Sequence, residues 1–243
     1  VTQSFGVSAL PSVTRAFQTG DSQKLKRTVE AVLRITFLTA LPMGVGLSVL
    51  AQPTALLIYG ARPGTVIVGR VLTTLGAASV FAALCGPLNS ILQAMGHVEL
   101  PVVLTLIGLF VKAVLDYTLA AVPSVNVLGG AVGTLVCYAL ASVLACIAIR
   151  RIAGVKIDFF STFKKPFLAS VCCGMAALLT HKAWCAVLPE SRFSALPAVF
   201  LGALIYVVFL LIARGICEED IKALPNGEKI TKRLEKYLQK AGG

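Results

Sequence analysis

Charged residues are scarce in this chain of 243 residues, since Asp, Glu, Lys and Arg together make up 14% of it. Soluble domains carry about 25% charged residues. Hydrophobic residues account for 57% of the chain, and its mean hydropathy is +0.86. This composition excludes an ordinary soluble domain. It predicts an all-α, multi-pass membrane protein, because the apolar runs are long enough to cross a bilayer as helices.

Sequence signatures of catalytic and metal sites are missing as well. The seven cysteines include no C-x-x-C pair, and the two histidines, His97 and His181, stand alone near predicted helix ends. No G-x-S-x-G, H-E-x-x-H or phosphate-binding loop occurs. We therefore expect no enzyme and no metal or other cofactor, and we interpret the cysteines as small packing residues of membrane helices.

Long uncharged segments predict six transmembrane helices, because one crossing needs about 20 apolar residues. A proline, Pro123, separates the third crossing from the fourth. Lys182 lies near the end of the fifth, where its amine can reach the interface. The predicted spans cover about 35–59, 71–95, 101–122, 127–149, 167–187 and 193–213.

The basic residues predict the orientation of these spans. Lys and Arg are concentrated before the first span, between the fourth and fifth, and after the sixth. With six spans, all three segments lie on one side, which the positive-inside rule makes cytoplasmic. Both ends are then cytoplasmic. The net charge of +11 reflects this topology, and we expect no nucleic-acid partner, because the charges are not gathered on one folded face.

Three segments flank the predicted spans. Residues 1–13 are typical of the end of a preceding transmembrane helix, so we expect the chain to be the C-terminal part of a longer protein. Residues 14–34 form a basic amphipathic elbow, either an interfacial helix or a solvated linker helix. Its apolar face contains Leu25, Val29, Val32 and Leu33. Residues 214–243 form a cytoplasmic amphipathic tail.

Two charges, Lys112 and Asp116, lie in the middle of the third predicted span. Each charge at a helix centre costs about 2.5–3.5 kcal/mol on insertion scales, so a chain that keeps two is expected to use them. Their spacing of four residues places them on one helix face. Polar and helix-interrupting residues in the other spans also indicate a transporter with a water-filled cavity. The cavity-lining candidates are Pro42, Asn89, Gln93 and Gly130.

The order of the segments resembles a known family. The segments are ALPSVTRAFQTGDSQKLKRTVEAVLRITFLTALPMGVGLSVLAQPTALLIYG, LNSILQAMGHVELPVV, IGLFVKAVLDYTL, NVLGGAVGTLVCYAL and EEDIKALPNGEKITKRLEKYL. Together they resemble the C-terminal half of the polysaccharide-export and lipid-flippase branch of the multidrug/oligosaccharidyl-lipid/polysaccharide exporter superfamily.

The resemblance implies about fourteen helices in two lobes around a central cavity. This chain would hold the end of the eighth helix and the ninth to fourteenth, without the N-terminal lobe. It also implies alternating access in the bacterial plasma membrane, with a lipid-linked oligosaccharide as substrate and membrane lipids as partners.

The resemblance further implies a cation site. Related lipid II flippases bind sodium in this lobe, at positions that correspond to Lys112, Asp116 and Thr134. Lys112 places an ammonium where a neutral ligand would stand, so we expect a tethered cation held by Asp116 and Thr134, without sodium coupling. The alternative is a permanent Lys112–Asp116 ion pair that only holds helices together.

Two other functions remain open at this point. A multidrug and toxin extrusion antiporter would share the fold, but it ordinarily requires an unpaired acid, and Asp116 has a lysine one turn away. A non-transporting membrane scaffold is the other alternative.

Overall fold

The computed structural model of the protein describes residues 2–122, 125, 127–154, 159–187 and 200–206. The seven helices of these ranges are α1 Thr2–Gln18, α2 Ser22–Val49, α3 Ala51–Tyr59, α4 Thr65–Ala94, α5 Leu100–Ala120, α6 Val127–Ala153 and α7 Phe159–Val187. A further helical stretch covers 200–206. No strand occurs in the described ranges, and the predicted all-α membrane bundle is confirmed.

Four of the described helices, α2, α4, α5 and α6, are long and apolar enough to cross a membrane. They cover much of the first four predicted spans, although the first is divided at Leu50, where α2 gives way to the short α3. The apolar part of α7, Pro166–Thr180, is shorter than a full crossing. Most of the predicted span 193–213 and the whole tail 214–243 lie outside the described residues.

The basic elbow is the end of one helix and the start of the next. After α1 ends, Gly20 adopts a φ of +67°, and the Asp21 carboxylate accepts a hydrogen bond from the Lys24 backbone N–H, which caps α2. From there α2 continues unbroken into the apolar region.

The prediction that the apolar face of the elbow contacts the membrane interface or solvent was wrong. Its four apolar residues are at most 4% exposed and pack in a core with residues of α1, α4 and α6. The face is therefore covered by protein, with α1 and α4 packed against it, and not by lipid or water. The four residues are Leu25, Val29, Val32 and Leu33.

The long helices pack in the spatial order α7, α2, α4, α6, α5. Helix α1 packs against α2 and α4, and α3 packs against α4. Helix α5 therefore lies at one edge of the described bundle, and only 6% of its most apolar window is buried. Its outward face is apolar, with exposed residues such as Leu106, Phe110 and Val114, as expected for contact with lipid.

Small residues allow α2 and α4 to approach closely. A Cβ built on Gly44 would lie 2.8 Å from the Gly76 carbonyl oxygen, and one on Gly76 would lie 3.0 Å from the Gly44 carbonyl oxygen. The hydroxyl of Ser48 donates across the same crossing to the Thr73 carbonyl, at 2.9 Å. Close backbone approach and interhelical hydrogen bonds are what hold helices together in lipid.

Pro42 explains a second interhelical hydrogen bond. Proline lacks the N–H that would bond the carbonyl four residues earlier in a helix, here that of Leu38. The hydroxyl of Tyr206 donates to this carbonyl instead. The stretch 200–206 is thereby joined to α2 at the point where the helix ladder of α2 is interrupted.

Candidate functional site

The Lys112–Asp116 pair forms within α5. The Lys112 Nζ donates to the Asp116 Oδ2 at 2.7 Å, one helical turn along. The side chains are 29% and 36% exposed. At 1.5 Å per residue, Lys112 lies about 3 Å from the midpoint of α5 and Asp116 about 9 Å. Lys112 is therefore near the middle of a membrane-crossing helix, Asp116 lies nearer its C-terminal end, and both side chains are only partly covered by protein.

The neighbouring helix supports this pair through a glycine. A Cβ built on Gly133 of α6 would lie 3.1 Å from the Asp116 carboxyl carbon and closer still to Oδ1, and 3.5 Å from the Lys112 Cγ. Oδ1 is buried and has no hydrogen-bond partner among the described residues. The two carboxylate oxygens thus differ, because one binds the ammonium while the other is enclosed against Gly133.

Two further close contacts flank Gly133 along the same helix pair. A Cβ on Gly129 would lie 2.7 Å from the Leu119 Cβ, and a Cβ on Gly108 would lie 3.0 Å from the Cys137 carbonyl oxygen. We call this line of contacts the α5–α6 seam, formed by Gly108, Lys112, Asp116 and Leu119 of α5 with Gly129, Gly133 and Cys137 of α6. The charged pair lies in the middle of the seam.

Thr134 does not contact the pair through its hydroxyl. That hydroxyl donates to the Gly130 carbonyl within α6, at 2.7 Å. Gly130 itself is exposed, and a Cβ there would meet nothing within 4 Å. Of the three residues predicted for the cation site, the structure brings Lys112 and Asp116 together and leaves Thr134 bonded to its own helix.

Sequence reasoning did not include Gly133 among the candidate site residues. The available signal was the spacing of Gly129, Gly133 and Cys137, which places small residues on one face of α6 every fourth residue. That spacing predicts close helix packing. It does not identify the side chain that fills the space, because the partner depends on how α5 is placed.

The other candidates lie on α2 and α4, apart from the pair. Pro42 is half-buried and interrupts the backbone ladder of α2. Asn89 is half-buried and Gln93 is exposed, one turn apart on α4, and neither has a hydrogen-bond partner within the described part of the chain. The amide groups on this face of α4 can donate to and accept from water or a polar ligand.

A cavity of about 710 Å³ opens between α2, α4, α6 and α7. Its lining is almost wholly apolar and includes Phe37, Phe81, Phe163 and Phe167. The Phe37 and Phe163 rings meet edge to face at 5.2 Å, and the Phe163 and Phe167 rings stack at 5.0 Å. Among the described lining residues, Arg150 is the single charged one.

No group of three or more potential metal ligands is found in the described ranges. The cysteines described there are free, and Cys137 and Cys173 are buried between helices. Cys173 donates its thiol hydrogen to the Gly202 carbonyl oxygen at 3.1 Å. The Lys112–Asp116 pair therefore remains the main concentration of charge in the described apolar regions.

The sequence is similar to known membrane proteins over nearly its whole length. The profile of the family described as lipid II flippase MurJ matches residues 1–207. Stage V sporulation protein B of Bacillus subtilis (strain 168) is 24% identical over 231 residues, which cover 93% of this chain and 42% of that protein. The lipid II flippase MurJ of the same organism is 25% identical over 151 residues, or 62% of this chain and 27% of that protein.

A third relative, the membrane protein YabM of Bacillus subtilis (strain 168), is 22% identical over 251 aligned positions, which cover 98% of this chain and 44% of that protein. The chain thus spans less than half the length of each of these relatives. The family profile covers most of the chain, and the helices that it matches include four of membrane-crossing length. This multi-pass membrane protein belongs to the lipid II flippase MurJ family.

Proposed function

We propose that the chain is the C-terminal lobe of a flippase that moves a lipid-linked saccharide across the bacterial plasma membrane by alternating access. The observation that carries the proposal is the Lys112–Asp116 pair, which lies within the membrane-crossing helix α5 and is about one third exposed. A partly open pair can exchange partners during a transport cycle, and charges kept inside a membrane helix usually mark a functional site. Membership of a lipid II flippase family supports a lipid-linked saccharide as the transported molecule.

The apolar cavity supports a lipid-linked substrate. Its volume of about 710 Å³ falls in the range of ligand pockets, about 300–1,000 Å³. The aromatic and aliphatic lining suits a hydrocarbon chain. The amides of Asn89 and Gln93 suit the hydroxyl and amide groups of a saccharide head group. A substrate with an apolar tail and a polar head would use both surfaces.

Lys112 serves in this proposal as a resident cation. Its ammonium lies 2.7 Å from Asp116, at the position where a diffusible ion would otherwise neutralise the carboxylate. During the transport cycle the ammonium would leave and regain this carboxylate as the lobes move. Transport then needs no sodium, and no enzymatic step is involved.

The two alternatives receive less support from the site. A cation antiporter requires an acid that is free to bind its ion, and Asp116 already accepts a hydrogen bond from Lys112. A scaffold has no need for partly exposed charges at membrane depth, where each one is costly. Neither alternative accounts for the family membership.

The remaining parts of the proposal concern orientation and partners. Both ends of the chain are cytoplasmic, and the N-terminal lobe of the intact protein supplies the other wall of the cavity. Alternating access needs two bundles that move against each other around a shared site. One lobe alone would leave that site open on one side.

The test is transport by purified protein. The intact protein is reconstituted into vesicles with a fluorescent lipid-linked saccharide, and translocation is followed by protection of the label from an external quencher. We expect transport by the intact protein and none by residues 1–243 alone. Export of a cationic dye without movement of the lipid would instead favour the antiporter, and movement of neither would favour the scaffold.

A further inference from the structure

We propose that Gly133 is a positioning residue that keeps the Asp116 carboxylate in the geometry in which it pairs with Lys112. This inference rests on the function proposed above for the pair. The observation is the contact between the enclosed Oδ1 of Asp116 and the face of α6 where Gly133 has no side chain. A methyl group at this position would occupy the space that Oδ1 fills.

The clash cannot be relieved easily by moving the helices apart. The seam is also held at Gly129, against Leu119, and at Gly108, against Cys137. These contacts lie on both sides of Asp116 along α5. A methyl group at position 133 therefore displaces the carboxylate, which is the more mobile group, toward the open side of α5.

Displacement changes what the carboxylate can bind. In the present geometry one oxygen is closed off, so Asp116 offers a single oxygen, Oδ2, to Lys112. A displaced carboxylate exposes both oxygens, and its ammonium partner loses the 2.7 Å contact. Gly133 thus favours the resident ammonium over water or a diffusible cation, through the shape of the seam.

A neighbouring glycine provides a matched control. Gly130 and Gly133 lie within one turn of α6, but a Cβ on Gly130 would meet nothing within 4 Å. Gly129 controls for packing, because a Cβ there meets Leu119 in the same seam without touching the pair. The three substitutions Gly133→Ala, Gly130→Ala and Gly129→Ala add the same methyl group to the same helix.

The experiment measures the reactivity of Asp116 with dicyclohexylcarbodiimide, a membrane-soluble carboxyl reagent, in the purified intact protein, with modification quantified by mass spectrometry. We expect Gly133→Ala to raise the modification rate about tenfold, as a weakened pair frees the carboxyl group. Gly130→Ala and Gly129→Ala should react like the parent. Transport should fall about tenfold in Gly133→Ala.

A parent-like modification rate in Gly133→Ala, or an equal rise in Gly129→Ala, would overturn the inference. If Gly133→Ala does not fold, the same substitution is tested in the Lys112→Met/Asp116→Ala background. This background lacks the carboxylate that the methyl group displaces, so we expect it to accept Gly133→Ala without loss of yield. Misfolding that persists there would assign Gly133 to packing alone and overturn the inference.

The reactivity readout also separates the inference from the proposed function. If the parent protein does not transport the lipid but the reactivity pattern is found, the proposed function fails and the positioning role stands. If transport is found without the reactivity pattern, the positioning role fails and the function stands.

Discussion

Tyr206 donates its hydroxyl hydrogen to the carbonyl oxygen of Leu38, which lies 168 residues earlier in the chain. Pro42 creates the need for this bond, because a proline in a helix leaves the carbonyl four residues before it without its usual donor. An unpaired carbonyl is costly in an apolar environment. The tyrosine therefore completes the backbone ladder of a different helix.

This relationship predicts a specific coupling. Tyr206→Phe should lower the stability of the protein in detergent by about 0.6 kcal/mol, the average for interhelical hydrogen bonds in membranes, and by no more than about 1.7 kcal/mol, the largest value found for them. In a Pro42→Ala background the Leu38 carbonyl regains a donor on its own helix, so the same substitution should cost less. Thermal unfolding of the four proteins of this double-mutant cycle measures the difference. Equal costs in both backgrounds would contradict the coupling.

The charged pair predicts different results for structure and for transport. Lys112→Met or Asp116→Asn alone leaves one charge without its partner. Loss of one partner from a fully buried pair costs about 3–5 kcal/mol, and with about a third of each side chain exposed we expect about 1–2 kcal/mol. The double variant should regain yield and stability but remain inactive in transport.

A merely structural pair would give an active double variant, so measuring yield and transport separately decides between the two roles. Sodium adds a second test. Because the Lys112 ammonium already occupies the carboxylate, transport by the parent protein should be the same in sodium and in potassium buffers. Strong sodium dependence would show that the lysine is not the resident cation.

The crossing of α2 and α4 predicts a contrast between two glycines. Gly76→Ala places a Cβ 2.8 Å from the Ser48 backbone nitrogen, and such overpacking costs about 1–3 kcal/mol. Gly46→Ala meets nothing within 4 Å and should be neutral or stabilising by up to about 1 kcal/mol, since alanine favours helix. Thermal unfolding of both variants in detergent measures the contrast. Equal stabilities of the two variants would contradict this prediction.

The proposed orientation predicts opposite accessibility for two turns. Pro63 lies in the exposed turn before α4, and His97 lies in the exposed turn after it. In a variant without native cysteines, Pro63→Cys should react with a membrane-impermeant maleimide on intact cells. His97→Cys should react only after permeabilisation. The reverse pattern would place both ends of the chain outside.

Local patterns in the sequence were sufficient to predict several of the helices and the contact between Lys112 and Asp116. An uncharged run of about 20 residues predicts a crossing wherever it occurs, so α4, α5 and α6 could be predicted without knowledge of their neighbours. The contact of Lys112 with Asp116 follows from helix geometry alone, because residues four apart share a face. Both predictions depend on short segments of the chain.

Contacts between distant segments could not be predicted in the same way. The enclosure of Asp116 by Gly133 depends on the distance and rotation between α5 and α6, and the Tyr206–Leu38 bond joins segments 168 residues apart. The covered face at Leu25 and Val29 was misassigned for a related reason, since an apolar helix face looks the same whether protein or lipid covers it. The break at Leu50, in contrast, has a local cause, since Pro53 in the first turn of α3 lacks the N–H that would bond the Val49 carbonyl.

The placement of both charges on α5 has a consequence for biogenesis. A ribosome completes α5 before it synthesises α6, so the insertion machinery meets Lys112 and Asp116 before Gly133 exists. Because the two charges are one turn apart on the same helix, each can neutralise the other while α5 enters the bilayer by itself. A pair divided between two helices would have to wait for its second member. Lys112 and Asp116 thus already serve as each other's counter-ion when α5 passes through the translocon.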